Sequence, residues 1–450
     1  MTPGKFSYPD SPVHYRRLKR PYPKIARGEG VWLHDTEGRS YLDACGGAYV
    51  AALGHGSALI GEAMAAQARR FGYVNGTQFT HDPAEDLARA LTELSPGLDK
   101  AYLLANGGDA VEAALKFARQ YWAEAGRPEK TKILSLDPSY HGNTLLALSA
   151  GARASYKKLF SDWLVEFPRV PAPYPYRSTG PEDPALSAEA FERAVLSAGP
   201  DTVAAFIAEP IGGSSTGCSV PPEKYWRRIR ALCDRYQVLF IADEVLCGAG
   251  RTGTWSALEP YGVVPDLLVL GKGISGGYAP LSAMLAPRRL VDVVARGSGS
   301  LAHNQTFSHH PVTCAAGVAA LSIMKEQRLV ERCARLGPLF HKKLDALREH
   351  PLVGEVRGRG LLAGIEFVAD KKTKRPLPRA LRFAESLAEA ALDRGLVVWP
   401  NYGNADGENG DLIMLAPPYI ISETELDELV LRLSDAVNTA ARSVTVGRTS

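Results

Sequence analysis

The chain has 450 residues, of which 45% are hydrophobic and 22% are charged, an ordinary composition for a globular protein with a sizeable core. Its formal net charge is only +3 and its basic residues are scattered, which argues against a nucleic-acid-binding surface. The densest basic cluster, residues 16–20, is therefore interpreted as a solvated face.

The six cysteines are far apart in the sequence, which fits neither a zinc site nor a disulfide scaffold and favours a reducing compartment. The first thirty residues carry five prolines and no apolar run, so no secretory signal is visible. No stretch approaches the roughly 18 apolar residues of a membrane span. We therefore expect a cytoplasmic protein that holds no metal and binds neither nucleic acid nor membrane.

Hydrophobic periodicity predicts an irregular arm over residues 1–40, ending in a strand pair around a turn at 35–38, and then an alternation of helices and short strands. The predicted helices cover 60–71, 83–94 and 110–125. The predicted strands cover 100–104, 132–136, 203–208, 238–242, 267–270 and 281–285. The proline-rich segment 168–185 is predicted to be a surface loop.

Several of these strands are apolar throughout, which is typical of a parallel sheet buried on both faces. The alternating order predicts an α/β fold with helices covering a mostly parallel sheet. A second α/β pattern begins near residue 330, with helices at 331–349, 378–394 and 423–441 and strands at 361–367, 396–399 and 411–415. We expect an N-terminal arm with small strands (1–58) that packs with the small domain, a large domain (59–325) and a small C-terminal domain (326–450).

The segment GKGISG, residues 271–276, is compatible with two kinds of site. Its glycine spacing after a strand matches the dinucleotide-binding fingerprint, whereas a lone lysine at a strand end suits a Schiff-base cofactor. The dinucleotide interpretation needs a crossover helix, but Pro280 follows closely and the next predicted strand begins at Leu281. Lys272 as an ordinary solvated loop lysine remains the alternative.

A carboxylate lies at the end of the preceding strand. Residues 238–245, VLFIADEV, end in Asp243-Glu244, and ligands of open α/β sheets sit beyond the carboxyl ends of the strands. Beside a cofactor lysine, such an acid can hold the protonated ring nitrogen of pyridoxal 5'-phosphate (PLP). A helix-capping acid would give a similar sequence.

Two further segments supply other parts of a PLP site. Gly107 and Gly108 follow a strand and open a helix, where free N–H groups bind phosphate, although a simple capped turn would look alike. Tyr140, followed by His141 and Gly142, comes after the strand 132–136 and can stack on a ring. Ordinary loop packing is the alternative for the tyrosine.

Together these segments resemble the class III (omega-type) PLP-dependent aminotransferases of the aspartate aminotransferase-like superfamily, and the resemblance covers nearly the whole chain. The blocks DEVLCGAGRTG and GKGISGGYAPLSAML, in this order, are its most specific part. The others are YLDACGG, LGHG, NGGDAVEAALKFAR, SYHGNT, AEPIGG, TFSHHPVTCAAG, VRGRGLLAGIEF and LAPPYIIS. The resemblance implies the PLP-dependent transferase fold type I, with a large domain and a smaller C-terminal α/β domain.

The resemblance implies that Lys272 forms the Schiff base with PLP and then moves the proton, and that Asp243 pairs with the pyridinium nitrogen. The remaining residues with an implied cofactor contact are Gly107, Gly108, Tyr140, His141, Glu209, Val245 and Thr306. Tyr140 and Val245 would face the two sides of the ring, and Glu209 would lie near the phenolic oxygen.

Thr306 resembles the threonine that reaches the phosphate of the neighbouring subunit, which implies a homodimer with active sites at its interface. The chain departs from the family's usual pattern in the phosphate loop, where Asn106 stands for a serine. Backbone donors must therefore contribute more of the phosphate binding.

The substrate side of the resemblance is less definite. Ornithine- and aminobutyrate-type members carry a glutamate where this chain has Ser214. Many amine transaminases of the family carry a mobile arginine that receives a carboxylate, and the alignment places Trp399 there, whose indole cannot form a bidentate pair with a carboxylate. Arg357 or Arg359 could take that role, or both could be structural.

We expect Trp399 and Tyr49 to be walls of a pocket for a bulky or apolar amine; the alternative is that both are ordinary core or interface aromatics. The predicted function is ping-pong transfer of an amino group from a primary amine or amino acid to a keto acid such as pyruvate or 2-oxoglutarate. Racemisation, decarboxylation or aminomutase chemistry on the same fold is the alternative, and a non-catalytic descendant is a third.

Overall fold

The computed structural model describes residues 5–180, 183 and 186–446 of the chain. Its strands are β1 Lys5–Phe6, β2 Tyr22–Pro23, β3 Ile25–Glu29, β4 Trp32–Asp35, β5 Ser40–Asp43, β6 Lys100–Leu104, β7 Lys132–Asp137, β8 Arg169–Pro171, β9 Val203–Ala208, β10 Leu239–Asp243, β11 Leu267–Leu270, β12 Ser282–Ala286, β13 Val353–Arg359, β14 Leu362–Asp370, β15 Arg375–Pro376, β16 Leu396–Val397, β17 Trp399–Tyr402 and β18 Asp411–Leu415. Its helices are α1 Gly46–Tyr49, α2 Ala58–Arg70, α3 Asp82–Glu93, α4 Gly107–Glu124, α5 Leu145–Ala150, α6 Ala154–Lys157, α7 Glu189–Ala198, α8 Tyr225–Tyr236, α9 Arg288–Arg296, α10 Pro311–Glu326, α11 Leu329–Leu344, α12 Phe383–Asp393 and α13 Glu423–Val446.

A seven-stranded sheet in the order β6-β12-β11-β10-β9-β7-β8 forms the centre of the molecule. Strand β10 pairs in parallel with β9 and β11, whereas β12 runs antiparallel to both of its neighbours. Alternate residues of β10 enter different hydrophobic clusters, with Phe240 on one face and Ile241 on the other. Because both faces are covered, every residue of β10 is buried, and the predicted mostly parallel, doubly covered sheet is confirmed.

Helix α4 covers one face of this sheet and begins at the cavity described below. The side chain of Asn106 accepts a hydrogen bond from the N–H of Asp109 and caps the helix. The predicted apolar stripe of this helix is buried, and its Trp122 Nε1–H donates to the carbonyl of Ala204 at 2.8 Å. Capping and burial together fix the position of the first helical turn.

The chain between β11 and β12 turns back at once. A short 3₁₀ turn, Lys272–Ser275, is followed by Gly276 at φ +61° and by the antiparallel strand β12. A dinucleotide-binding unit needs a helical crossover to a parallel strand, which this return does not provide. The predicted lack of a helical crossover after GKGISG is thus confirmed.

The C-terminal part contains a sheet in the order β13-β14-β18-β17, with β15 beside β14, and helices α11, α12 and α13. The predicted N-terminal strand pair forms as β4 and β5, and β5 also pairs in parallel with β16. The N–H of Leu42 donates to the carbonyl of Gly395 at 2.8 Å. The N-terminal strands are therefore joined to the C-terminal part of the chain.

The prediction of a surface loop over 168–185 is wrong for its first part. Residues Arg169–Pro171 form the edge strand β8, and Tyr174 is buried, with its O–H donating to Glu366 at 2.5 Å. An edge strand pairs on one side only, so prolines are tolerated there. Residues 181, 182, 184 and 185 lie outside the described residues.

Within the described part of the chain, no helix is both long and apolar enough to cross a membrane. The same residues contain no cluster of three or more histidine, cysteine, aspartate or glutamate side chains that could hold a metal ion.

Candidate active site

A cavity of about 790 Å³ lies where β9, β10 and β11 end and α4 begins. Most of the residues that the sequence assigned to a site line this cavity: Tyr49, Gly107, Gly108, Tyr140, His141, Glu209, Asp243, Val245, Lys272 and Trp399. They come from segments far apart in the chain, and the sheet brings them together because the carboxyl ends of parallel strands meet at one edge.

Asp243 ends β10 and is held by two hydrogen bonds. His141 Nδ1–H donates to its Oδ2 at 2.8 Å, and the N–H of Val245 donates to its Oδ1 at 3.1 Å. The carboxylate is only 5% exposed, and His141 Nε2 is buried without a hydrogen-bond partner. These donors hold the carboxylate in a fixed orientation at the cavity wall.

Lys272 follows the neighbouring strand β11. Its backbone takes φ +45°, in the left-handed region that residues other than glycine rarely adopt. Burial lowers the pKa of its ammonium, although the charges of Asp243 and Glu209 oppose that effect. A lysine with a lowered pKa has more of its neutral, nucleophilic amine at neutral pH. Its position and its protonation thus suit covalent chemistry with a carbonyl compound.

Glu209, after β9, is the second buried carboxyl group of the cavity. Its two oxygens accept hydrogen bonds at 3.0 Å from the N–H groups of Tyr140 and Gly213. Burial is the largest influence on this carboxyl and, with the charge of Asp243, raises its pKa to about 7, against the lowering effect of His141 and the two N–H groups. Glu209 can therefore hold or release a proton near neutral pH.

The glycines at the start of α4 allow very close packing. A Cβ atom on Gly107 would lie 2.7 Å from Val245 Cγ1, which is shorter than real contacts. Gly142, at φ +137°, approaches so closely that its own Cβ would lie 2.9 Å from the Cα of Gly108. The first N–H groups of a helix have no helical partner, so this bare backbone at the cavity is suited to an anion such as phosphate.

Tyr49 and Trp399 form a neighbouring part of the wall. Their ring centroids are 5.6 Å apart, and the O–H of Tyr49 donates to Met414 Sδ at 3.4 Å. Tyr49 takes φ +65° where α1 is interrupted, which places its ring beside strand β17. The two aromatics therefore form a continuous apolar surface at the cavity.

Arg357 does not line the cavity. Its guanidinium pairs with Glu355 at 2.7 Å and with Glu366 at 2.8 Å, and it donates to the carbonyl of Thr216. Arg359 also lies outside the lining, where it donates to the O–H of Tyr261 at 3.1 Å. The structure thus brings neither arginine to the other predicted substrate residues.

Thr306 is exposed and also lies outside the cavity lining of its own chain. Its neighbours Ala302, Asn304 and Phe307 are exposed as well. The structure of a single chain thus leaves the segment from Ala302 to Phe307 apart from the other cofactor residues.

Sequence reasoning missed two arginines near the cavity. Arg16, interpreted as part of a solvated basic face, is exposed but lines the cavity, with its Cζ 6.0 Å from the centre of the Tyr156 ring. Arg153 is buried, with its Cζ 4.5 Å from the centre of the same ring, and donates to Ser214, which lines the cavity. Neither arginine belongs to a motif or to a periodic pattern, so the sequence carries no signal for them.

A model of the family described as aminotransferase class-III matches residues 15–437. The chain belongs to this family. Class III aminotransferases are PLP-dependent, so the family resemblance seen in the sequence is confirmed.

Individual relatives match this chain over most of their length. A putrescine–pyruvate aminotransferase of Pseudomonas aeruginosa is 33% identical over 432 residues, which cover 93% of this chain and 91% of that protein. Among solved structures, a thermostable (S)-enantioselective omega-transaminase from Thermomicrobium roseum is 36% identical with a TM-score of 0.87, covering 93% of this chain and 92% of that one. An amine transaminase from an uncultivated Pseudomonas species, solved in its PLP-bound form, is 35% identical with a TM-score of 0.87, covering 97% and 98%.

These similarities confirm the predicted α/β fold and the predicted activity. The chain is an aminotransferase, an enzyme that moves an amino group from a donor to a keto-acid acceptor. They favour transamination over racemisation, decarboxylation or aminomutase chemistry, and over a non-catalytic role.

Proposed function

We propose that this aminotransferase binds PLP in the cavity at the start of α4 and works by a ping-pong mechanism on a primary amine or amino acid and a keto acid of the pyruvate or 2-oxoglutarate type. The observation that carries the proposal is the placement of Asp243 and Lys272 in one cavity. Asp243 ends β10, Lys272 follows the adjacent strand β11, and the charge of Asp243 acts on the Lys272 amine.

The residues of the cavity fit this cofactor part by part. The backbone N–H groups of Gly107 and Gly108 would hold the phosphate, and the packing of Gly107 on Val245 shows how little space a side chain would leave there. Asp243 would hold the protonated ring nitrogen, with Val245 and Tyr140 beside the ring. When bound, PLP supplies an aromatic ring that accepts electrons from the substrate carbon.

The protein's own groups would then control protons. Lys272 would carry the proton between substrate carbon and cofactor carbon, for which a lowered pKa is favourable. Asp243 would be held in position by its hydrogen bond from His141, and Glu209, with a pKa raised by burial to about 7, would lie near the phenolic oxygen.

The cavity wall supports a bulky or apolar amine donor. Besides Tyr49 and Trp399, several apolar side chains line it: Leu148, Leu159, Phe160, Ile211 and Leu246. Apolar surface that a donor covers on binding contributes roughly 25 cal/mol per Å². One relative is a putrescine–pyruvate aminotransferase, and putrescine is a primary amine, the broader class of donors proposed above.

We also propose that the enzyme is a homodimer and that Thr306 reaches the phosphate site of the partner. The exposed Phe307 lies in the same segment, and its ring is 6.2 Å from the ring of Tyr73, which is itself 48% exposed. Exposed aromatics in one place favour an interface between copies of the chain. The molecular mass in solution at micromolar concentration tests this part.

We also propose that the protein is cytoplasmic and that its domain boundaries lie at residues 58 and 325. All six cysteines are buried and free, which agrees with a reducing compartment. The pairing of β5 with β16 supports the placement of the N-terminal strands beside the C-terminal domain.

The decisive experiment combines a donor–acceptor screen with chemical mapping. The purified protein with PLP is expected to consume keto acid one-for-one with amine, and borohydride reduction followed by peptide mapping is expected to find the cofactor on Lys272. Lys272→Ala should lose both results, whereas Lys130→Ala, which removes a buried lysine outside the cavity, should keep the mapped cofactor. Cofactor on another lysine would contradict the proposed site.

A further inference from the structure

Arg153 lies immediately behind the cavity wall. It is only 8% exposed and donates to Asn401 Oδ1 at 3.1 Å, to Ser214 Oγ at 3.3 Å and to the carbonyl of Tyr402 at 3.3 Å. Its Cζ also lies 4.5 Å from the centre of the Tyr156 ring. Each of these partners is neutral, so none of them compensates the charge of the guanidinium.

Within residues 5–180, 183 and 186–446, no carboxylate lies within 4.0 Å of the Arg153 nitrogens. Its Nε is buried without a hydrogen-bond partner. Burying an uncompensated charge and an unused donor is costly, so such a group is expected to meet an anion in the working enzyme. A bound carboxylate would supply both an acceptor and the opposite charge.

The charge of Arg153 acts on two tyrosines that line the cavity. Burial is the main influence on Tyr49 and Tyr140 and raises the pKa of both phenols, whereas the nearby Arg153 charge opposes it in each case. Both tyrosines line the cavity, as do Ser214 and Tyr156, two of the residues in contact with the guanidinium. Arg153 therefore lies directly against residues that a substrate would touch.

We infer that Arg153 is the carboxylate-binding residue of this aminotransferase, which receives the carboxylate of the keto-acid acceptor and of the corresponding amino acid. The inference rests on the proposed function, because it assigns one part of the same cavity. A guanidinium can pair with a carboxylate through two parallel hydrogen bonds, which gives both affinity and orientation. An amine without a carboxylate uses the same cavity without this pair.

The other arginines considered for this role are placed less well. Arg357 is occupied by Glu355 and Glu366. Arg359 packs on Tyr261, which does not line the cavity, whereas Arg153 donates to the lining residue Ser214. Arg16 lines the cavity, but it is exposed, so water weakens its attraction for an anion. The buried guanidinium is the stronger ligand because its surroundings are less polar.

The test separates substrates that differ in the carboxylate. Holoenzyme first reacts with 1-phenylethylamine, so that its cofactor carries the amino group. It is then mixed with either pyruvate or propanal, and the absorbance of the bound cofactor reports each half-reaction. For Arg153→Met we expect kcat/KM for pyruvate to fall about 100-fold, because a charged pair is lost, whereas the amine and propanal reactions change less than about threefold. In Arg153→Lys, kcat/KM for pyruvate should fall less, since lysine keeps the positive charge.

Arg359→Met is the matched control, since it removes another arginine that packs on a tyrosine ring, outside the cavity. It should leave the ratio of pyruvate to propanal reactivity unchanged. An unchanged ratio in Arg153→Met, an equal loss with both acceptors, or a pyruvate-specific loss in Arg16→Met instead would overturn the inference. Failure of the wild-type enzyme to react with any amine would instead contradict the proposed function.

A second variant adds a competing carboxylate and leaves Arg153 itself unsubstituted. Ser214 Oγ is 3.3 Å from Nη1 of Arg153, so a glutamate at position 214 can pair with the guanidinium. We expect Ser214→Glu to lower kcat/KM for pyruvate at least tenfold relative to Ser214→Gln, which has the same size but no charge. Equal pyruvate kinetics in these two variants would contradict a role for the Arg153 charge.

Discussion

Asp243 and His141 are 102 positions apart in the sequence and are joined by a hydrogen bond of 2.8 Å at the carboxyl end of β10. His141 belongs to the loop after β7, and Asp243 ends a strand that does not pair with β7 directly, because β9 lies between them. The sheet order therefore places the histidine where it can orient the one carboxylate of the Asp243-Glu244 pair that faces the cavity.

This pairing predicts a graded loss of activity. Asp243→Asn keeps the size of the side chain but removes its charge, so we expect kcat/KM to fall about 10³-fold. His141→Ala removes a hydrogen bond to a charged group and should cost about 10- to 100-fold. The dependence of single-turnover rates on amine concentration below saturation provides the measurement, with cofactor content determined in each variant.

Glu244→Gln is the internal control for these two variants. Glu244 is adjacent in sequence, but its oxygens accept hydrogen bonds from Ser256 and from the N–H of Ala257, away from the cavity lining. Its single-turnover rate should stay near that of the wild type. A loss in Glu244→Gln as large as that in Asp243→Asn would show that the charge of Asp243 has no special role.

The close approach of α4 to Val245 predicts that Gly107 cannot carry a side chain. In Gly107→Ala, the new Cβ would lie 2.7 Å from Val245 Cγ1, so the first helical turn or the valine must move. We expect the dissociation constant of PLP to rise at least tenfold, because the N–H groups proposed to hold its phosphate shift with that turn. Equilibrium dialysis measures the constant directly.

Gly61→Ala provides the comparison for this substitution. Gly61 lies inside α2, and a Cβ atom there meets nothing within 4 Å. Alanine at such a helix position should leave PLP binding unchanged and stabilise the protein by about 0.5–1 kcal/mol. If PLP binding weakened equally in both variants, the packing at Gly107 would not explain the effect.

The sequence predicted the parts of this molecule that depend on local pattern. Strands β6, β9, β11 and β18 have their predicted bounds. A short run of apolar residues in an α/β chain marks a buried strand, and this signal is local in the sequence. Helix α10 was not predicted, since its residues are mostly small and apolar on every side and thus show little helical periodicity.

The site divides in the same way. Lys272 and Asp243 could be recognised because each follows a strand within a specific block of residues. Arg153 could not, because its surroundings depend on Asn401, which is 248 positions away in strand β17. Arg357 was considered for a substrate role because its partner Glu366 becomes visible only when β13 pairs with β14.

Glu244 also predicts a dependence of stability on pH. Burial raises the pKa of this carboxyl from 4.5 to about 7. A raised carboxyl pKa contributes stability that is fully present below the unfolded pKa and is lost as the pH rises through 7. Between pH 5.5 and 8, the ionisation of Glu244 should therefore reduce the free energy of unfolding by about 2 kcal/mol.

Glu244→Gln isolates this contribution, because the amide does not ionise. The free energy of unfolding of the variant, relative to the wild type, should be about 2 kcal/mol larger at pH 8 than at pH 5.5, because only the wild type loses stability over this range. Denaturant titrations at the two pH values measure this difference. The same relative stability at both pH values would mean that Glu244 ionises at an ordinary pKa in the folded protein.

Trp399 is expected to set the preference between apolar amines and amino acids. Its ring packs at 5.6 Å from that of Tyr49 on the cavity wall, where an arginine side chain would bring a positive charge. We expect Trp399→Arg to lower kcat/KM for 1-phenylethylamine about tenfold, because the donor loses apolar contact, and to raise it for alanine, because the charge attracts a carboxylate. A donor panel with pyruvate as acceptor measures the ratio.

Trp163→Arg serves as the control, since this indole is 70% exposed and lies outside the cavity lining. The same charge introduced there should leave the donor preference unaltered, which separates a pocket effect from a general effect of added charge. Unchanged relative rates for alkyl amines and amino acids in Trp399→Arg would remove Trp399 from the substrate pocket. A shift confined to Trp399→Arg would make the aromatic wall, rather than the net charge of the protein, the source of donor selectivity.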